Sequence, residues 1–217
     1  DIHPEAKIPA VQLIFTTLHS GGKFNSKVYQ TAAGLHGVGA TVTNALSEWV
    51  EVTICRQGQI YQIRFHNGGE LETPLHVIGQ TSKHGTTVHF KPDPKIFPNT
   101  KFSWDTIYNR LEEKSYLLKG VHFILKDQAT GNSHDFYTER GLYEYVQSIT
   151  QNKTRLGEII DFNDSLSPSG IKLEVAMCWC LQDYNENIFS YANDVRTADG
   201  GTHESGFKTA LTKAINE

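Results

Sequence analysis

The sequence predicts an α/β chain built as two successive layered modules. Apolar residues recur at helical spacing in Pro9 to Leu18, Ala40 to Trp49 and Ser103 to Leu118. Apolar and polar residues alternate on either side of Gly58, the pattern of paired strands. Around Thr138 to Gly141 the pattern restarts, which sets a boundary near residue 140 and gives modules 1–139 and 140–217.

Each element follows from its own residues. In Pro9 to Leu18, Val11, Ile14, Phe15 and Leu18 share one apolar face, and Ser20-Gly21-Gly22 supplies the stop. Lys23 to Ala33 shows no period and reads as a loop; Gly34 to Gly39 is a glycine-rich turn. Ala40 to Trp49 then places Val42, Ala45, Leu46 and Trp49 on one helical side. Val50 to Arg56 and Ile60 to Phe65 form a hairpin about Gly58, and Asn67-Gly68-Gly69 is a further turn. Thr86 to Phe90 is a short strand closed by Pro92 and Pro94. Ser103 can N-cap a helix running to Leu118. Val121 to Lys126 is a strand and Ala129 to Asn132 a turn. Beyond the boundary, Leu142 to Ile149 is a helix, and Thr150 to Arg155 and Ser165 to Gly170 are polar connections. Ile171 to Cys180 is a strong strand, Ile188 to Ala192 another, and Gly201 to Asn216 a helix carrying Phe207, Leu211, Ala214 and Ile215.

Composition narrows the function classes. Eleven Phe, nine Tyr and three Trp in 217 residues are ample for a packed core and exclude wholesale disorder. A net charge of −4, from 20 basic and 24 acidic residues, excludes a general polyanion binder, though not DNA contact through a local patch. Three cysteines, two of them flanking Trp179 on one strand face, fit the reduced thiols of a cytoplasmic protein. The ten histidines and three cysteines match no zinc spacing. No run reaches the roughly 18 apolar residues of a membrane span, so no membrane partner is expected. Asp1-Ile2-His3-Pro4-Glu5 has neither the basic nor the apolar region of a leader, and the missing initiator Met implies a piece of a longer chain.

The most informative segment is Gly34-Leu35-His36-Gly37-Val38-Gly39, feeding directly into a helix. Three glycines in six residues permit positive φ and close backbone approach. The first turn of the following helix offers unpaired N–H groups and the positive end of its dipole, a combination suited to phosphate. The order is G-x-x-G-x-G, with no preceding strand and no following Gly-Lys-Ser/Thr, so it is neither a dinucleotide fingerprint nor a P-loop. Lys23 and His36 are nearby cationic or donor candidates. Without wider context a glycine turn is also plain punctuation, and both side chains are also ordinary loop residues.

Wider context comes from a resemblance. Gly21-Gly22-Lys23-Phe24, the Gly34 to Gly39 turn and Asn44-Ala45-Leu46-Ser47 resemble the ATP lid of the ATPase subunits of bacterial type IIA topoisomerases. That family comprises the B subunits of gyrase and of topoisomerase IV, within the GHKL ATPases. Asp199-Gly200-Gly201-Thr202-His203-Glu204 with Gly206-Phe207-Lys208 resembles a signature of the family's second, transducer domain, and Gly85-Thr86-Thr87-Val88 the strand closing its adenine pocket. The match covers essentially the whole chain in the right order. Val195-Arg196-Thr197 and Leu117-Leu118-Lys119 look more like topoisomerase IV than gyrase.

The resemblance implies a partial Bergerat-type GHKL ATPase sandwich, its mixed sheet covered by helices on one face, followed by an S5-like transducer domain. It implies ATP and magnesium (Mg2+) as cofactors. As partners it implies DNA, the A subunit of topoisomerase IV and a second B subunit, in a homodimeric clamp within an A2B2 heterotetramer. ATP binding would close the clamp on one duplex while another is passed through a break made by the A subunits. By the same resemblance, Gly34, Leu35, His36, Gly37, Val38 and Gly39 would wrap the triphosphate. Lys23 would sit near the phosphates, Tyr29 would hold the nucleotide under the closed lid, Thr86 would assist adenine recognition, and Ile14 would wall the base. Ile14 is equally an ordinary core residue of an amphipathic helix, and Thr86 an ordinary strand residue.

The family's general base, magnesium-binding asparagine and adenine aspartate correspond to positions before Asp1, and its γ-phosphate lysine to a Gln-Thr-Lys motif past Glu217. Gln80-Thr81-Ser82-Lys83 looks superficially like that motif but lies in the wrong domain. No catalytic residue and no metal ligand is therefore assigned within the 217 residues, and on their own they are expected to bind nucleotide weakly and not to hydrolyse it. Ala33 stands where family members usually have glycine; it alters the lid only if that position requires positive φ. Two other readings stay open: a GHKL ATPase of another class, and a non-catalytic nucleotide-binding or dimerisation module.

Overall fold

Pro9 opens the first helix, α1 (Ala10–Thr16), where its fixed φ and missing N–H cost nothing. A computed structural model of the chain describes residues 1–20, 36–164, 170–181 and 185–217. The helix ends earlier than its apolar period suggests, because Thr17 turns extended and the Ser20 hydroxyl is drawn to the Leu13 and Thr17 carbonyls. Phe15 is buried, whereas Ile14 and Leu18 are 39% and 54% exposed, so the expected apolar face is only partly a core face. The predicted Lys23–Ala33 loop, and the Gly21-Gly22 stop, lie outside the described residues.

Helix α2 (Gly39–Ala45) leads into strand β1 (Ser47–Arg56). The helix expected to reach Trp49 therefore stops four residues short, with Ser47 Oγ donating to the Thr43 carbonyl at its end. Trp49 belongs to β1, paired with His66 on one side and Lys91 on the other. The β-branched and aromatic run beginning at Trp49 gains ladders on both sides, which outweighs helical spacing. A turn at Gln57 and Gly58, both at positive φ, sends the chain back as β2 (Gln59–His66).

Two more strands complete the sheet: β3 (Glu70–Gln80) and β4 (Gly85–Pro92), in the order β3-β2-β1-β4. All strand pairings among the described residues are antiparallel, where the resemblance implies a mixed sheet. β3 is not legible from alternation because Pro74 interrupts it and its register against β2 shifts near that residue. An edge strand tolerates both. Val50, Val52, Ile63 and Phe65 are fully buried and, with Phe15 stacked on Phe65 at 5.9 Å, form the core between sheet and helices. Each such side chain contributes about 1.5–3 kcal/mol. The other face stays polar: Arg64 bridges Glu51 and Glu72 and lies over Trp49.

These elements make up one compact unit, Asp1–Lys101; a second comprises Phe102–Glu217. The boundary read near residue 140 falls inside the second unit. There α3 (Trp104–Leu117) is N-capped by Ser103, whose Oγ accepts from Thr106 N at 3.3 Å. A hairpin of β5 (Phe123–Lys126) and β6 (Ser133–Phe136) follows, then α4 (Leu142–Ile149), at the range expected. β7 (Ile160–Asp164) pairs with β8 (Leu173–Met177), so the strand expected to run from Ile171 to Cys180 is shorter at both ends. The strand expected at Ile188–Ala192 is reduced to β9 (Tyr191–Ala192), paired with β10 (Val195–Arg196) through Asn193 and Asp194 at positive φ. α5 (Thr202–Asn216) closes the unit. Among the described residues no helix is long and apolar enough to cross a membrane.

Candidate functional site

At the start of α2, backbone donors are left without a protein acceptor among the described residues. His36 and Gly37 form a bend, with Gly37 at φ +60°, a left-handed conformation that glycine adopts without cost. The first helical hydrogen bond of α2 runs from Val42 N to Val38 O at 2.9 Å. The amides of Gly39, Ala40 and Thr41 therefore precede the ladder and find no protein acceptor among the described residues. A Cβ added at Gly39 would meet nothing within 4 Å among the described residues.

Three side chains fix α1 against this turn. Thr41 Oγ1 donates to the Ile14 carbonyl at 3.0 Å and to the Thr17 carbonyl at 3.1 Å. Asn44 Nδ2 donates to the Phe15 carbonyl at 3.0 Å in a buried setting. The His19 ring nitrogen Nδ1 lies 2.9 Å from the His36 carbonyl. The carbonyls left over at the end of α1 are thus satisfied by the helix that carries the glycine turn. Asn44, 1% exposed, keeps its Oδ1 without a partner among the described residues. Its sequence context marks it only as part of the Asn44-Ala45-Leu46-Ser47 motif; burial and the bond to Phe15 give it a positioning role.

Of the nucleotide residues predicted from sequence, His36, Gly37, Val38 and Gly39 lie together at the start of α2, and Ile14 joins them through Thr41. Ile14 is 39% exposed, with side-chain surface left to meet a ligand. Thr86 sits on edge strand β4 directly opposite Ile54, a residue packed against the core. Opposed residues of an antiparallel pair share a face, so Thr86, like Val88 and Phe90, is on the helix side of the sheet and exposed. Lys23, Tyr29, Gly34 and Leu35 lie outside the described residues. No group of three His, Cys, Asp or Glu side chains among the described residues is placed to hold a metal ion.

The second signature, Asp199 to Lys208, builds a polar ring rather than an acid–base pair. Ser190 Oγ donates to Glu204 Oε2 at 2.9 Å, and Lys208 Nζ reaches Glu204 Oε1 at 3.1 Å and Glu186 at 2.6 Å. These bonds hold the Glu204 carboxyl below the usual carboxylate range, the Ser190 contact foremost. Thr197 Oγ1 lies 2.7 Å from Ser190 Oγ and 3.2 Å from His203 Nε2. With both oxygens engaged, Glu204 ties α5 to the loop that carries Ser190.

A seam of aromatic rings joins α3 to the elements after residue 140, and nothing in the periodicity announces it. Tyr116 stacks on Tyr145 at 5.0 Å, and Tyr145 meets Phe189 edge-on at 5.5 Å. Tyr191 OH donates to Glu113 Oε1 at 3.0 Å. Burial, then the neighbouring Tyr145 and Glu113, push the Tyr191 phenol well above the usual tyrosine range. A groove of about 450 Å3 beside this seam is lined by Glu112, Tyr116, Phe136 and Glu144 among others, and by none of the predicted nucleotide residues.

The chain is similar to known proteins. The DNA gyrase B family model matches residues 141–217. The B subunit of DNA topoisomerase 4 from Bacillus subtilis (strain 168) is 47% identical over 210 residues, 96% of this chain and 32% of that protein. The B subunit of DNA gyrase from Thermotoga maritima is 42% identical over 222 residues, 100% of this chain and 35% of that one. The chain thus spans about a third of the length of these curated relatives. The solved 43K ATPase domain of Thermus thermophilus gyrase B, in complex with an aminocoumarin, matches with a TM-score of 0.83 and 36% identity, over 100% of this chain and 54% of that chain. Along its whole length the chain is thus similar to the B subunits of gyrase and topoisomerase IV, and its residues 141–217 match the DNA gyrase B family model.

Proposed function

We propose that this chain is the ATP-binding and transducing segment of a type II DNA topoisomerase B subunit, with residues 140–217 as the N-terminal part of the transducer. The observation that carries the reading is the left-handed turn at Gly37, which leads into the amides of Gly39, Ala40 and Thr41, without a protein acceptor among the described residues. Such amides at a helix start donate to phosphate oxygens without reorganisation. Ile14 lends an apolar wall for the base and Thr86 a hydroxyl on the same side of the sheet. Lys23, Tyr29, Gly34 and Leu35 complete the set as the resemblance implies. The triphosphate supplies the charge that these donors bind, and the residues here orient it. Magnesium enters only through the resemblance, since no cluster of ligands for it stands among the described residues.

In the complete protein, ATP closes two B subunits into a cytoplasmic, dimeric clamp on DNA, assembled with two A subunits. Nucleotide selects the closed state and hydrolysis releases it. Topoisomerase IV is favoured over gyrase by Val195-Arg196-Thr197 and Leu117-Leu118-Lys119. The test pairs the complete B subunit with its own A subunit and supplies ATP with relaxed and interlinked circular DNA. Decatenation without negative supercoiling supports the reading; ATP-dependent negative supercoiling overturns the choice of topoisomerase IV. Loss of all ATP-dependent strand passage overturns the function itself.

A further inference from the structure

Just past β8, Cys178 and Cys180 lie on the same side of an extended segment with Trp179 between them. Their sulfurs are 4.0 Å apart, and both side chains are half-buried rather than sealed. The backbone on either side is pinned: Leu156 N donates to the Trp179 carbonyl and Leu181 N to the Thr154 carbonyl, each at 2.8 Å, and Cys180 bridges Arg155. The pair is thus held face to face by structure that does not involve the thiols. Joining them needs an approach of about 2 Å to reach the roughly 2.05 Å of a disulfide. Cys55, half-buried on β1 of the other compact unit, provides a comparison within the same chain.

We propose that Cys178 and Cys180 form a redox modification site, a dithiol that closes to an intrachain disulfide by exchange with a small-molecule disulfide of the glutathione class. One cysteine thiolate attacks a sulfur of the small disulfide, forming a mixed disulfide and expelling one small thiolate. The other cysteine thiolate then attacks the protein-side sulfur, closing the intrachain bond and expelling the second. The protein gives up two electrons and two protons, and the small disulfide leaves as two thiols. The facing sulfurs make the second step intramolecular, so proximity replaces a high thiolate population. Burial pushes the Cys178 thiol up, which fits it to that second step rather than the first.

The test uses the 217-residue chain carrying Cys55→Ser, equilibrated with oxidised and reduced glutathione, acid-quenched, alkylated and weighed intact and after digestion. The predicted result is a loss of about 2 mass units, the two hydrogens of the exchange, with one peptide holding both cysteines linked and resistant to alkylation until reduced. Cys178→Ser and Cys180→Ser should each stop at a stable mixed disulfide. Retention of glutathione on the chain with both cysteines, a disulfide-linked pair of chains, or alkylation of both thiols at every glutathione ratio would each overturn the proposal.

Discussion

The Thr41 hydroxyl donates to the Ile14 carbonyl at 3.0 Å, locking the helix that carries the glycine turn to the helix proposed to wall the base. Both halves of the proposed site therefore depend on one half-turn of α2. Thr41→Val keeps the shape but leaves the Ile14 and Thr17 carbonyls without this donor. It should cost about 1–3 kcal/mol in chemical denaturation, while Thr41→Ser should recover most of that. A midpoint unchanged by Thr41→Val would remove the lock.

Gly37 and Gly39 separate backbone strain from ligand approach. Gly37→Ala places a Cβ on a residue at φ +60°, at a cost of about 1–2 kcal/mol, and should lower both stability and nucleotide affinity. Gly39→Ala meets nothing in the fold and favours the helix, so it should leave the melting temperature unchanged or raised while still weakening nucleotide binding. Thermal melts and a titration with a non-hydrolysable ATP analogue on both variants check this. Equal loss of stability in the two variants would contradict it.

Gly141 is the steric pivot between α3 and α4. At φ +56°, a Cβ there would come within 2.8 Å of the Tyr116 carbonyl and 3.4 Å of Lys119 Cβ. Backbone and strain act together, so Gly141→Ala should destabilise by about 2–4 kcal/mol. Denaturant unfolding followed by circular dichroism measures this, and a change below about 0.5 kcal/mol would show that the contact relaxes freely.

Tyr191 gives the second unit an alkaline limit. Burial raises its phenol above the ordinary value of 10.0, so the folded chain holds a proton that the unfolded chain releases. The stability this contributes is fully present below pH 10.0 and is lost as pH rises through the folded value. Tyr191→Phe should flatten the fall in stability above that pH, measured by denaturation at stepped pH. Identical alkaline profiles for the two proteins would refute the assignment.

Hydrolysis should be absent from the 217 residues alone. The signature carboxylate Glu204 has both oxygens bound by Ser190 and Lys208 and is not free to act as a base. Phosphate release from Mg·ATP at micromolar protein should match a protein-free control; turnover above it would place a base within this chain.

What the sequence reveals, and what it hides, follows from how each signal arises. The hairpin at Gly58, the Ser103 cap and α4 are readable because turn chemistry, capping and periodicity are local. Trp49 reads as helical because a helical spacing coincides with a β-forming run, and only the ladders to His66 and Lys91 decide between them. β3 and β6 stay hidden because Pro74 and the polar Ser133-His134-Asp135 take their strand character from a partner. The glycine turn is legible as a phosphate-type bend, but Asn44 and the Tyr145–Tyr191 seam matter through contacts with residues far along the chain.

The amides at the start of α2 are best tested by amide proton–nitrogen NMR of the 217-residue chain during titration with a non-hydrolysable ATP analogue to millimolar concentration. The resonances of Gly37, Gly39, Ala40 and Thr41 should move together and saturate, with Gly37→Ala abolishing the movement. Saturable shifts confined to other residues, or none in this group at the highest concentration, would contradict the proposed nucleotide site.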